Sequence, residues 1–168
     1  MRHRCILVGM ALAIALSWRV AVAGDRLTGK VVSVHDGDTI TVLVNRRQVK
    51  VRLSGIDAPE LGQGFGQAAK RHLSDLVFGK VVEVGSAGLD RWGRTLGTVK
   101  VDGKPVAEAM VASGYAWHYV AYSDDKQLAA AEAAARAARN GLWSDSAPEP
   151  PWEWRKHEKA RKQPAAAP

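Results

Sequence analysis

The 168-residue chain has a single cysteine, Cys5, and only two phenylalanines and three tyrosines. One thiol cannot close an intramolecular bridge, so no disulfide framework supports the fold. Long apolar runs are missing too. Cys5 to Trp18 is shorter than the roughly 20 residues of a membrane-spanning helix, and Arg19 ends it. There is no internal repeat, no glycine-rich phosphate loop and no Ser-His-Asp order. His35, His72, His118 and His157 lie without metal-ligand spacing. Acids are the minority charge, 17 against 24 Lys and Arg, and the formal +7 favours anionic partners. Hydrophobic residues at 46% and charged residues at 24% exclude a wholly disordered or collagen-like chain. At this length one domain with a real core is expected.

The start of the chain reads as an export signal. Arg2, His3 and Arg4 precede the apolar stretch, and Ala21-Val22-Ala23 supplies a small-residue cleavage pattern. Cleavage after Ala23 removes three arginines, no acid and Cys5, leaving a formal +4 and no thiol. A secreted or periplasmic destination, with no stable membrane anchor, is the expectation. Residues 24–146 would form the folded domain. Residues 147–168 are proline-rich and basic, with five Lys and Arg against three Glu, and are expected to be a poorly ordered extension. Its two tryptophans and basic excess suit nucleic-acid or surface contact, but a solvated tail with no specific role accounts for it somewhat better.

Within the domain, period-2 alternation at Ile40, Val42, Val44 and at Val49, Val51, Leu53 predicts strands, following one that begins near Val31. Asp36-Gly37 and Asn45-Arg46-Arg47 supply turns. Ala69, Leu73, Leu76 and Val77 give helical spacing over 66–78. Two further strands are expected at 81–84 and 94–101, and helices over 105–114 and 123–139. Five strands and three helices in this order predict an α+β, mainly β fold, a five-stranded Greek-key OB barrel. A β-grasp or open sheet shares the same propensities.

Three short stretches carry candidate chemistry. In Asp36-Gly37-Asp38-Thr39 two carboxylates stand two residues apart, so on extended backbone they share a side and suit a divalent cation. Alone, a simple β-turn explains this stretch better. Arg52 is followed by Asp57-Ala58-Pro59-Glu60, where the proline stiffens a loop bearing two acids. A helix cap competes evenly with that reading. Asp90-Arg91-Trp92-Gly93-Arg94 offers a guanidinium fork for phosphate, though alone a solvated loop explains it better.

Taken together and in this order, the three stretches resemble the staphylococcal nuclease (thermonuclease) family. The likeness runs from about Lys30 to Trp143 and includes Asp102-Gly103-Lys104 and Asn140-Gly141-Leu142-Trp143. The resemblance implies an exported calcium-dependent endonuclease that hydrolyses DNA and RNA at the 5′-oxygen, leaving 3′-phosphate ends. It implies Ca2+ held by Asp38, Asp57 and the main-chain carbonyl of Ala58, with Asp36 supporting the site from behind. It makes Glu60 the base for the attacking water, and Arg52 and Arg94 the groups that bind the phosphate. Base stacking would fall to Tyr122, with Tyr119 as a substitute. A monomer is expected.

Three departures from the family pattern stand out. The first is that Val120 falls where the family carries the second stacking aromatic, so that Tyr119 substitutes only by a shift. Ala58 replaces a threonine, which spares a carbonyl ligand but removes a hydroxyl, and the Glu60 to Gly66 loop is short. The alternatives are a non-catalytic OB-type nucleic-acid-binding module and an envelope ligand-binding domain. Neither explains why Asp38, Arg52, Asp57, Glu60 and Arg94 occur together.

Overall fold

The structure is a computed structural model that describes residues 26–162. The proposed export signal and the last six residues lie outside the described residues. Strands β1 (Arg26–Val34), β2 (Thr39–Val44) and β3 (Arg47–Leu53) form an antiparallel meander. A two-residue strand β4 (Ile56–Asp57) follows, then helix α1 (Gly66–Val77). Next come β5 (Val81–Leu89), β6 (Thr95–Val101), the short β7 (Lys104–Pro105) and α2 (Val106–Ala112). The chain ends with β8 (Trp117–His118), α3 (Lys126–Ala137), a 3-10 turn (Gly141–Ser144) and α4 (Pro151–Lys162).

Antiparallel pairing runs β3-β2-β1-β5-β6, and a parallel pairing of β3 with β6 closes the circuit. The five strands are therefore a closed barrel of the OB type, as the alternation predicts. Closure leaves the long strands no free edge on which another chain could build. Ile40, Val42, Val51, Val82 and Val84 point into the barrel and are buried. Ala69, Leu73 and Val77, spaced four apart, press α1 onto this core, and Val106, Met110 and Val111 of α2 join it. A second cluster of Trp117, Ala135, Leu142 and Trp143 holds α3 and the 3-10 turn.

Two sequence expectations need correction. Strand β5 runs to Leu89 instead of ending near Val84, with a register shift between Ser86 and Gly88. The glycines at 85 and 88 dilute the apolar alternation, which hides a strand whose partner does carry the pattern. The expected disordered tail instead holds α4, a fourth α-helix where three were expected. Pro151 is its first residue, where a missing N–H costs nothing. Glu153 lies in the first turn, and Lys159, Arg161 and Lys162 lie in the last. Its docking against Trp117 and Tyr119 through Trp152 supplies the burial that propensity alone lacks.

Candidate active site

The loop between β1 and β2 brings Asp38 to the head of β2, where it is almost fully buried. Its backbone bends through 36–38, so the same-side argument for extended chain does not apply. Asp36 instead turns its carboxylate onto its own loop, where Oδ1 accepts the Asp38 N–H at 3.0 Å. Asp38 Oδ2 accepts the Ala58 N–H at 2.8 Å, and Thr39 Oγ1 donates to Oδ1 at 3.0 Å. The two acidic stretches are thus tied together across 20 residues of sequence. Burial raises the Asp38 pKa to about 7, against the lowering pull of the Arg52 guanidinium.

Asp57 sits on β4, whose partner β8 pairs Asp57 with Trp117 and Ile56 with His118. Its side chain is 2% exposed. Arg52, at the end of β3, lies between the two acids: Nε is 3.0 Å from Asp38 Oδ1 and Nη2 is 2.9 Å from Asp57 Oδ1. Nη1 donates to the carbonyls of Leu53 and Ile56, both at 2.9 Å. With three donated hydrogen bonds and an ion pair spent internally, Arg52 is pinned as the bridge between the acids. The open phosphate fork expected of it is largely occupied by the protein itself.

Glu60 follows Pro59 on a loop whose shape depends on Gly66. Its backbone N–H bonds to Gln63 Oε1, and a Cβ at Gly66 would lie 1.8 Å from the Glu60 carbonyl oxygen. Gly37 is equally constrained, because a Cβ there would meet those of Ala58 and Ala69 at 2.6 and 2.8 Å. These contacts hold the two acidic loops and α1 in close register. Gly66→Ala should therefore displace Glu60 and destabilise the domain by about 1–3 kcal/mol, read as a lowered Tm together with lowered turnover. An unchanged Tm would mean that the loop relaxes freely.

Arg94 stands one residue before β6. The parallel register sets Arg52 beside Leu96, so Arg94 lies one strand over and two residues along. Its Nε is 2.6 Å from Asp90 Oδ2, and Asp90 Oδ1 also accepts the N–H groups of Trp92 and Arg94. Burial would raise the Asp90 pKa, but these bonds outweigh it and hold the carboxyl below its ordinary value. Arg94 keeps 23% of its side chain exposed and, unlike Arg52, is fixed on one edge only.

Tyr119 donates its backbone N–H to the Gly55 carbonyl, which seats it next to β4. Tyr122 packs against it with ring centroids 4.8 Å apart and is 79% exposed. Trp117 belongs to the buried second cluster. Among the histidines, His35 bonds Thr41 and His118 bonds Ser123 through their Nε2 atoms, so neither reaches the acids.

One site residue is absent from the sequence reading. Arg155 of α4 places Nη2 2.7 Å from Asp57 Oδ2 and Nη1 2.8 Å from Glu60 Oε1. Burial pulls the Arg155 pKa down, but its hydrogen bonds to Asp57 and Glu60 outweigh this and raise it. Among the described residues no three His, Cys, Asp or Glu side chains converge as a metal-holding group. The donor set nonetheless fits a hard cation. Two nearly buried carboxylates face positive charge, and Arg155 stands in for a cation at Asp57 and Glu60.

Comparison with known proteins agrees with this geometry. Residues 50–145 match the family described as staphylococcal nuclease homologue. The chain is 42% identical over 161 residues to a micrococcal nuclease of Shigella flexneri, covering 89% of this chain and 92% of that one. It is 45% identical over 140 residues to an uncharacterized endonuclease of Escherichia coli O157:H7, covering 83% and 90%. A staphylococcal-like nuclease of Arabidopsis thaliana matches at 45% over 113 residues, covering 67% of this chain and 35% of its own length. A closed barrel whose buried acids and arginine stand where these motifs fall, matched over most of its length to nuclease-named relatives, places this chain in the staphylococcal nuclease family.

Proposed function

We propose that this chain is an exported, calcium-dependent endonuclease acting on DNA and RNA, cleaving at the 5′-oxygen to leave 3′-phosphate ends. The observation that carries the reading is the meeting of Asp38, Arg52, Asp57 and Glu60 at one mouth of the barrel, three of them almost wholly withdrawn from water. A module that only binds nucleic acid gains nothing from buried acids beside a phosphate path. They repel the ligand unless a cation lies between.

Asp38, Asp57 and the Ala58 carbonyl would hold the calcium ion. When bound, it would supply positive charge beside the phosphate and polarise a phosphoryl oxygen. Arg52 fixes the spacing of the two acids and adds charge close to the reacting phosphorus. Glu60, whose side chain is 42% exposed, can take a proton from a water aligned for attack. Arg94, at the head of the neighbouring strand and fixed to Asp90 on one edge only, would stabilise charge on the phosphoryl oxygens. Tyr122 and Tyr119 offer ring faces on which an unpaired base can stack.

Export rests on the signal-like sequence of residues 1–23. Incubating purified protein with single-stranded DNA and RNA and mapping the product ends tests the chemistry. New 3′-phosphate ends on both polymers are expected. Binding without cleavage would establish the non-catalytic module instead, and 3′-hydroxyl products would reverse the assignment of the scissile bond.

A further inference from the structure

We propose that α4 is an autoinhibitory strap that occupies the cation and base positions of the site and is displaced as metal and nucleic acid arrive. The inference rests on the nuclease reading above. Two observations carry it, and they involve different side chains and different chemistry. Arg155 spans both oxygens of Asp57, with Nη1 3.2 Å from Oδ1 and Nη2 2.7 Å from Oδ2, and bonds Glu60 as well. Trp152, three residues earlier and hence on the same face of the helix, lies flat on Tyr119 at 5.2 Å with planes 7° apart.

The two contacts copy a ligand. A guanidinium covers Asp57, one of the acids proposed to hold the cation, together with the proposed base Glu60, and an indole takes the place of a base on a tyrosine. Asp57 Oδ1 is shared with Arg52 and Oδ2 is held by Arg155, so an incoming ion must dislodge one guanidinium. Arg52 is 12% exposed and anchored by backbone carbonyls, whereas Arg155 is 43% exposed. Arg155 is the one that leaves. Its departure also frees Glu60, which cannot abstract a proton while ion-paired.

The attachment suits a movable element. The helix joins the barrel through the linker Ala147-Pro148-Glu149-Pro150, which crosses the Glu60 loop where Gln63 Nε2 donates to the Glu149 carbonyl. The helix also carries Lys156, Lys159 and Lys162, all exposed, so the strap that leaves the acids keeps positive charge to offer a polyanion.

The test is calorimetric calcium titration of the full chain, wild type against Arg155→Ala, with hydrogen exchange of α4 followed alongside. A strap closed about nine-tenths of the time lowers apparent affinity roughly tenfold, so Arg155→Ala should bind calcium about tenfold more tightly. Calcium should speed exchange of the α4 amides in wild type. Equal or weaker calcium binding by the variant overturns the proposal. If neither protein binds calcium, the metal reading fails, and the strap is decided by a phosphorothioate oligonucleotide in chelator. Losing a positive charge should by itself weaken oligonucleotide binding. Tighter binding by Arg155→Ala and by Trp152→Ala thus supports a strap, and weaker binding by both makes α4 part of the substrate site.

Discussion

Glu60→Gln is expected to lower turnover by about 100-fold or more on DNA and RNA, with substrate binding unchanged or tighter. The amide keeps the shape and hydrogen-bonding reach of the carboxylate but cannot accept a proton from water. It also takes the charge from one of the two acids that hold Arg155, so the strap loosens as catalysis fails. Turnover and binding therefore move in opposite directions. A merely structural role for Glu60 would lower both, and the two are separated by single-turnover rates alongside oligonucleotide affinity. Near-normal turnover would move the water-activating role to another group.

Arg52→Ala and Arg94→Ala should both reduce turnover by about 100-fold or more, yet differ sharply in stability. Arg52 compensates two nearly buried acids, Asp38 and Asp57. Deleting it leaves Asp38 with no counter-charge and Asp57 with Arg155 alone, and the domain should lose about 3–5 kcal/mol. Arg94 pairs with Asp90 on a turn at the protein surface, so its loss should change stability by about 0–1 kcal/mol. Lysine should rescue neither, because an ammonium cannot reproduce the planar contacts of the guanidinium. Parallel denaturant titrations read the difference. Equal stability losses would contradict the bridging role assigned to Arg52.

The barrel was legible because its inward residues alternate cleanly, as at Ile40 and Val42 in β2 and at Val51 and Leu53 in β3. The α1 helix was legible for the same reason at period four, through Ala69, Leu73 and Val77. Of the candidate site, the order of the three motifs names the acids and arginines, and the structure gathers Asp38, Arg52, Asp57 and Glu60. The internal commitment of Arg52 could not be read, since its partners Asp38 and Ile56 meet only when β2, β3 and β4 are assembled.

Helix α4 escaped because the prolines and charges around it carry the composition of disorder. Its signals were present in Pro151 at the first helical position and in Glu158 four residues before Lys162. What settles the helix is contact with Tyr119, Asp57 and Glu60, which lie 33 to 98 residues earlier and leave no local trace.

Cleavage of DNA by purified wild-type protein, measured first in a calcium chelator and then with calcium restored, tests the central claim most directly. The two buried carboxylates proposed to hold the ion, Asp38 and Asp57, are held in this structure by the guanidinium groups of Arg52 and Arg155. Activity should be absent in chelator and return in full with calcium. Undiminished cleavage in chelator would contradict the assignment of Asp38 and Asp57 as the ion's ligands.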